Sequence, residues 1–363
     1  MVESIYLGIK ENWKDCAPCR TIRERVNKNN GTPLFLYGAG RLAKVFLEAC
    51  EEMQINVAGI CDSYARGEYD GISIISPQEL FDRHKDATVL ICSHTYSNEI
   101  QAKLVEQGYS QEQIISCPIQ FPYFTSPSQF LVHIEGYKWA YHFFEDPKSK
   151  QLVLDRMRMY LLDEPTNVNT ESDCYYEKDA IRLSSKEVFV DAGAYVGDTA
   201  EEFIGKVKGE YESVYSFEPS EGNYEKAVER LKQYHGVQVI QKGLWSCDTT
   251  LTFFEDTSNM AGSCIKGEGG EFSIAVTTLD NVFSMKEKLP TFIKMDIEGS
   301  EKEALIGAKN VIERNKPKLA ICAYHKPEDI YELPQTIQRI QEGYKFVLRQ
   351  HSKGCFDMVL YAV

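Results

Sequence analysis

No run of about 18 apolar residues occurs anywhere in the 363-residue sequence, so no transmembrane helix is expected. The opening stretch, MVESIYLGIKENWKDC, lacks a basic segment leading into an apolar core; no secretory signal is expected there, and a cytoplasmic setting is. Basic residues are in deficit, with 40 Lys and Arg against 54 Asp and Glu and a net charge of −14. That balance disfavours a broad phosphate-binding face, so neither nucleic acid nor a membrane is an expected partner. Disulfide patterning is missing too. The 11 cysteines are odd in number and several sit inside apolar runs (Cys61, Cys92, Cys322), which fits reduced thiols. Cys16 and Cys19 form a close pair, but no second pair follows at zinc-site spacing. No strand precedes them, as a thioredoxin-like redox motif requires, so they read as two thiols in a helical segment. No internal repeat or low-complexity tract is visible.

What is present suits a globular protein, with 43% hydrophobic and 26% charged residues. The length predicts about two to three domains. The first thirty residues read as mainly helical and end in the polar break Asn27–Pro33. Strands are expected at 34–37, 57–61, 71–75 and 88–92. Helices are expected at 41–53, with Leu42, Val45, Phe46 and Ala49 on one face, and at 77–84. This β-α-β alternation predicts a parallel sheet. Residues 118–130, holding Pro118, Pro122 and Pro127, look like a linker, and 128–162 turn helical. A second series follows, with strands expected at 187–191, 213–217, 237–241, 250–254, 291–296, 318–323, 344–350 and 356–363. Helices at 221–234 and 300–314 fall between some of them. The last two strands are joined by a loop too short for a parallel crossover, so the sheet should close in an antiparallel hairpin. The expected division is an N-terminal Rossmann-like domain at 1–120, a linker and helical segment at 121–164, and a second α/β domain at 165–363.

The sharpest chemical signal begins at Val188. A buried strand ends at Asp191 and runs into a loop holding Gly193 and Gly197, whose glycines let backbone approach a ligand at the carboxyl end of a strand. The spacing differs from the G-x-G-x-x-G that cradles a pyrophosphate, and Asp191 and Asp198 beside it would repel an anion. The next strand ends at Glu218, about 20 residues on, where an acid can accept both hydroxyls of an adenosine ribose. Together these features describe a pocket for S-adenosylmethionine. Further along, Lys294 and Asp296 lie two apart on one strand and so share a face. Asp296 and His325 then fall at neighbouring strand ends, where either could take a proton from an acceptor hydroxyl. Lys294 could instead pair with Glu298 or Glu301. Asp296 could also be a metal ligand, but a single clear acid with few neutral oxygen partners makes that the lesser option, and no metal is expected.

These pieces resemble the FkbM family of S-adenosylmethionine-dependent methyltransferases. The matching segments are VDAGAYVGDT (190–199), FEPS (217–220), TTLDNV (277–282), KMDIEGSEKEALIGA (294–308), AYHKPEDIYELP (323–334) and FDMVLYAV (356–363), spread over 165–363. The resemblance implies a seven-stranded class I methyltransferase sheet and methyl transfer, usually to a hydroxyl oxygen, on acceptors such as sugars, glycans or related small molecules. It implies that Asp191, Gly193, Ala194, Tyr195 and Gly197 line the methionine end of the cofactor and that Glu218 holds the ribose. Pro219 and Ser220 would shape the adenine side, with Leu244 and Trp245 as adenine neighbours. Tyr195 departs from the family, which often has a small or amide residue there.

In the first domain Gly38-x-Gly40-x-x-Ala43 follows a strand, and Asp62 lies about 20 residues on, which fits a dinucleotide fingerprint. This region resembles small Rossmann-like domains appended to sugar-modifying enzymes, which implies a nucleotide or nucleotide-sugar ligand at Gly38, Gly40 and Asp62. Two further readings stay open. One is a nucleotide- or nucleotide-sugar-binding regulatory module with a residual methyltransferase fold. The other is an NAD(P)-dependent oxidoreductase run by the first domain, although no Tyr-x-x-x-Lys pair follows it.

Overall fold

The computed structural model describes residues 1–165, 173–255, 263–264 and 271–363. It divides into two compact units, one formed by Met1–Glu135 with Leu154–Thr166 and the other by Gly136–Val153 with Asn167–Val363. The helical stretch after residue 120 is thus shared between the units. No helix of the described residues is long and apolar enough to cross a membrane.

In the first unit six strands form one sheet: β1 (Leu34–Tyr37), β2 (Val57–Cys61), β3 (Gly67–Tyr69), β4 (Ile72–Ile75), β5 (Thr88–Ile91) and β6 (Ile114–Ile115), in the order β3-β4-β2-β1-β5-β6. β1 is central, and all four of its residues are buried, as a continuous apolar run with both faces covered must be. Helix Arg41–Glu52 buries Leu42, Val45, Phe46 and Ala49, the stripe its spacing predicts. The sheet is parallel except at β3, which pairs antiparallel with β4. That hairpin goes beyond the single strand expected at 71–75. Its turn is Asp70-Gly71, both at positive φ (49° and 78°), the backbone of a type I′ turn.

The second unit carries β7 (Val188–Ala192), β8 (Ser213–Phe217), β9 (Val237–Ile240), β10 (Gly243–Leu244), β11 (Thr249–Glu255), β12 (Ser263–Cys264), β13 (Glu271–Thr277), β14 (Phe292–Met295), β15 (Lys318–Cys322), β16 (Phe346–Gln350) and β17 (Met358–Ala362). Seven of these form the main sheet, in the order β16-β17-β15-β14-β7-β8-β9. β17 runs antiparallel to both β15 and β16, so the closing hairpin is present as expected. The strand expected at 250–254 exists but lies outside the main sheet. β11 pairs antiparallel with β13, a strand the sequence reading missed, in a separate four-stranded sheet with β10 and β12. The reason is chain length. Between Ile240 and Thr249 there is no room for the dozen or so residues of a parallel crossover, so β11 cannot rejoin the main sheet beside β9. The architecture is mixed α/β, with mostly parallel main sheets.

Candidate active site

Four neighbouring strands of the main sheet, β8, β7, β14 and β15, end at one edge, the edge at which open α/β sheets bind ligands. After β7 the chain folds back over β8: the N–H groups of Gly193 and Ala194 donate to the Phe217 carbonyl at 3.0 and 2.9 Å. Gly193 has φ +78°, and a Cβ there would stand 1.8 Å from the backbone oxygen of Asp296. Only glycine lets the β7 loop lie against the end of β14. Gly197, at φ +81°, caps helix Asp198–Lys206. Between them Tyr195 takes φ +48°, an uncommon conformation for a non-glycine residue.

Glu218 ties the two loops together. One carboxylate oxygen accepts the Tyr195 N–H at 2.9 Å and the other the Ser220 N–H at 3.0 Å. Burial raises its pKa against the pull of these two donors. Each oxygen has two acceptor positions, so each keeps one after the backbone bond is made.

Beneath the loop lies an ion pair. Lys294 Nζ donates to Asp191 Oδ1 at 3.0 Å, to the Gly193 carbonyl at 2.8 Å and to the Ala192 carbonyl at 3.3 Å. All three ammonium hydrogens are thereby used. Burial pulls the Lys294 pKa down, but Asp191 and Asp296 outweigh it and hold the ammonium charged. The alternative partners Glu298 and Glu301 are not the ones it takes.

Asp296, just past β14, accepts the Tyr175 hydroxyl at 2.8 Å on Oδ2 and the Tyr324 hydroxyl at 3.2 Å on Oδ1. Burial pushes its pKa up, yet Lys294, His325 and the tyrosine bond more than offset this, and it ends below the ordinary carboxylate value. His325 Nε2 stands 3.4 Å from Asp296 Oδ1 and 3.5 Å from Glu298 Oε2, while Nδ1 stands 3.1 Å from Glu301 Oε1. Burial opposes charge on the ring, but the three carboxylates prevail and lift its pKa to about 10. Glu298 is pushed up to about 7, mainly by burial.

A cavity of about 570 Å³ opens over these groups. Small-molecule sites span about 300–1,000 Å³. Of the residues singled out from sequence, Gly193, Tyr195, Glu218, Pro219, Ser220, Leu244, Trp245, Lys294 and Asp296 line it. Asp191, Ala194 and Gly197 support the lining from beneath, with Asp191 and Ala194 fully buried. His325 does not line the cavity; its side chain is 6% exposed and sits behind Asp296. The sequence reading missed Tyr175 and Tyr324, named Glu298 only as a partner for Lys294, and missed the apolar wall of Leu251, Ile274 and Val276 supplied by β11 and β13. Tyr324 and Glu298 fall inside the quoted motifs, whereas nothing around Tyr175 marks it. Six carboxylates line the cavity among the described residues (Asp198, Glu202, Glu218, Asp296, Glu298, Asp357), against one ammonium, that of Lys294.

Residues 191–347 match the family model described as the methyltransferase FkbM domain. This part of the chain is an FkbM methyltransferase domain. An enzyme using S-adenosylmethionine as methyl donor is the activity that membership carries. The residues fit that donor: Glu218 retains acceptor capacity, Gly193 keeps the β7 loop clear of any Cβ, and Asp191 Oδ2 is buried without a hydrogen-bond partner. Residues 32–115 match a second family model, described as C2185-like, N-terminal. No curated protein matches the chain. Among solved structures, the methyltransferase FkbM from Methylobacillus flagellatus KT is 23% identical with a TM-score of 0.63, covering 100% of this chain and 98% of that one. The fold therefore extends over both units. Aeropyrum pernix fibrillarin, solved with natively bound S-adenosyl-L-methionine, is 11% identical over 52% of this chain and 73% of that one, at a TM-score of 0.34. An rRNA methylase from Streptococcus thermophilus is 19% identical over 50% and 88%, at 0.31.

In the first unit, Gly38 takes φ +110° and Gly40 caps helix Arg41–Glu52 in an extended conformation. Asp62 faces this loop, and its carboxylate is occupied by backbone: Oδ2 accepts the Ala39 N–H at 2.7 Å and Oδ1 those of Tyr64 and Ala65 at 2.8 Å each.

Proposed function

We propose that the FkbM domain methylates a hydroxyl oxygen on an uncharged or cationic polyhydroxyl small molecule, a sugar or glycan precursor being the favoured class. The observation that carries this reading is Asp296: a charged carboxylate at the cavity wall, held by two tyrosine hydroxyls, on a residue whose backbone carbonyl lies against Gly193 of the donor loop. When bound, S-adenosylmethionine supplies a methyl carbon made electrophilic by a cationic sulfur. Glu218 would accept the ribose hydroxyls, and Lys294 would hold the β7 loop in place. Asp296 would accept a hydrogen bond from the acceptor hydroxyl, aim its oxygen at the methyl carbon and take its proton as the ether forms. Its depressed pKa makes it a weak base, so alignment supplies more than proton affinity. His325 supports Asp296 from behind rather than acting as a base: a ring with a pKa near 10 is already protonated at neutral pH. The excess of carboxylates favours neutral or amine-bearing acceptors over phosphorylated ones.

The test is methyl transfer from isotopically labelled donor to a panel of neutral, amino and phosphorylated sugars, with the product bond assigned by mass spectrometry. An O-methyl ether on a neutral or amino acceptor is expected. Asp296→Asn should lower turnover by about two to four orders of magnitude while leaving donor affinity nearly unchanged. Methyl found on nitrogen or carbon, or an Asp296→Asn enzyme of full activity, defeats the reading.

A further inference from the structure

Three groups from three successive segments of the chain meet behind the cavity wall. Asp296 follows β14, Glu301 opens helix Glu301–Ile306 and His325 follows β15. One ligand atom from each lies within 4.8 Å of the others. We propose that Asp296, Glu301 and His325 hold a divalent transition-metal ion, reached from the cavity through Asp296.

The distances suit such an ion. Metal bonds of about 2.0–2.2 Å place adjacent ligand atoms roughly 3 Å apart. His325 Nε2 stands 3.4 Å from Asp296 Oδ1 and its other nitrogen, Nδ1, stands 3.1 Å from Glu301 Oε1; an ion takes a single ring nitrogen, so one carboxylate must swing round the ring to share it. An independent observation comes from unmet polar groups. The His325 side chain is 6% exposed, yet neither ring nitrogen makes a hydrogen bond of acceptable geometry within the described residues. The Glu301 side chain is 1% exposed, and its Oε2 also lacks a hydrogen-bond partner. Buried polar atoms are normally paired, and an unpaired one costs stability unless something else meets it.

Charge points the same way. Asp296, Glu298 and Glu301 all face one imidazole, and buried Asp329 lies close behind, its carboxylate accepting the Lys326 N–H. The nearby ammonium groups are engaged elsewhere, Lys294 on Asp191 and Lys326 on the Gly299 carbonyl. A bound cation would offset this excess of negative charge. One imidazole with two carboxylates suits Mn²⁺, Fe²⁺ or Zn²⁺ better than the all-oxygen preference of Mg²⁺ or Ca²⁺. The competing occupant is a proton on the ring.

Ion uptake is read without donor or acceptor, so its outcome is independent of methyl transfer. The full chain, stripped with chelator, is titrated with Mn²⁺ followed by electron paramagnetic resonance, and with Co²⁺ followed by visible absorption. One ion per chain is expected, with affinity reduced at least about tenfold in Glu301→Gln and in His325→Gln. Two results overturn the proposal: no uptake by the wild type, or equal uptake by variants that melt like the wild type. Should a variant fail to fold, the His325 ring protons of the Co²⁺-loaded wild-type chain decide the matter. Paramagnetically shifted signals support the site, and unshifted ones sink it.

Discussion

Lys294 on β14 stands opposite Asp191 on β7 in the parallel register of the two strands, and their 3.0 Å ion pair is closed to water, at 1% and 0% side-chain exposure. The same ammonium holds the carbonyls of Ala192 and Gly193, so one side chain joins the sheet to the loop that faces the cavity. The charge lies at the root of the site rather than at its working surface.

Removing one partner of this pair leaves a buried charge uncompensated. Lys294→Met should cost about 3–5 kcal/mol of stability in chemical denaturation, whereas the double variant Asp191→Asn/Lys294→Met should recover part of that loss. A Lys294→Met protein as stable as the wild type contradicts the pairing.

Gly193→Ala tests the close approach of the loop. An alanine must adopt φ +78° and place its Cβ 1.8 Å from the Asp296 carbonyl oxygen. The left-handed conformation alone costs about 1–2 kcal/mol. The overlap adds to it, because the atom in the way is backbone. The variant should lose more stability than that figure and bind S-adenosylmethionine poorly; a protein unaltered in both respects would show that the loop has slack.

Much of this arrangement is legible in the sequence because it is local. Buried strands ending in an acid, a glycine loop and a helix can be read from Val188 to Lys206, and Glu218 follows from the next strand. What cannot be read is convergence. Tyr175 reaches Asp296 from 121 positions away with no pattern around it. The pairing of β11 with β13 depends on the lack of room for a crossover after β9, not on any propensity in either strand. His325 shows the limit most clearly. The strand count brings it to Asp296, but only the packing around Glu301 reveals that it lies behind the wall instead of on it. The hairpin at Asp70-Gly71 was open to reading, since that dipeptide between apolar positions is itself a turn signal.

Glu218→Ala should weaken S-adenosylmethionine binding by about 1–3 kcal/mol, the scale for hydrogen bonds lost from a charged group. The same carboxylate accepts the N–H groups of Tyr195 and Ser220, so the unliganded protein should also lose stability. Glu218→Gln offers one carbonyl oxygen for two backbone donors and should fall between. Calorimetric affinity unchanged in Glu218→Ala would remove this residue from the cofactor site.

Asp62 sets a pH dependence in the first unit. Burial alone would raise its pKa, but the N–H groups of Tyr64, Ala39 and Ala65, together with Arg66, outweigh it and hold the carboxyl below its ordinary value. The unfolded chain titrates at about 3.9. A carboxyl whose folded pKa is depressed contributes its full stability above the unfolded value and loses it as pH falls through the folded one. Asp62→Asn should therefore destabilise the protein at neutral pH. The group is largely solvated, so screening keeps the effect near the low end of charged hydrogen bonds, about 1 kcal/mol. As pH falls below the unfolded value and through the folded one, the wild-type carboxyl loses its charge and the difference should shrink. Denaturation of the full chain and the variant, followed from neutral pH down to acid, measures this directly. A gap that stays constant with pH would mean that the three backbone donors do not depend on the charge of Asp62.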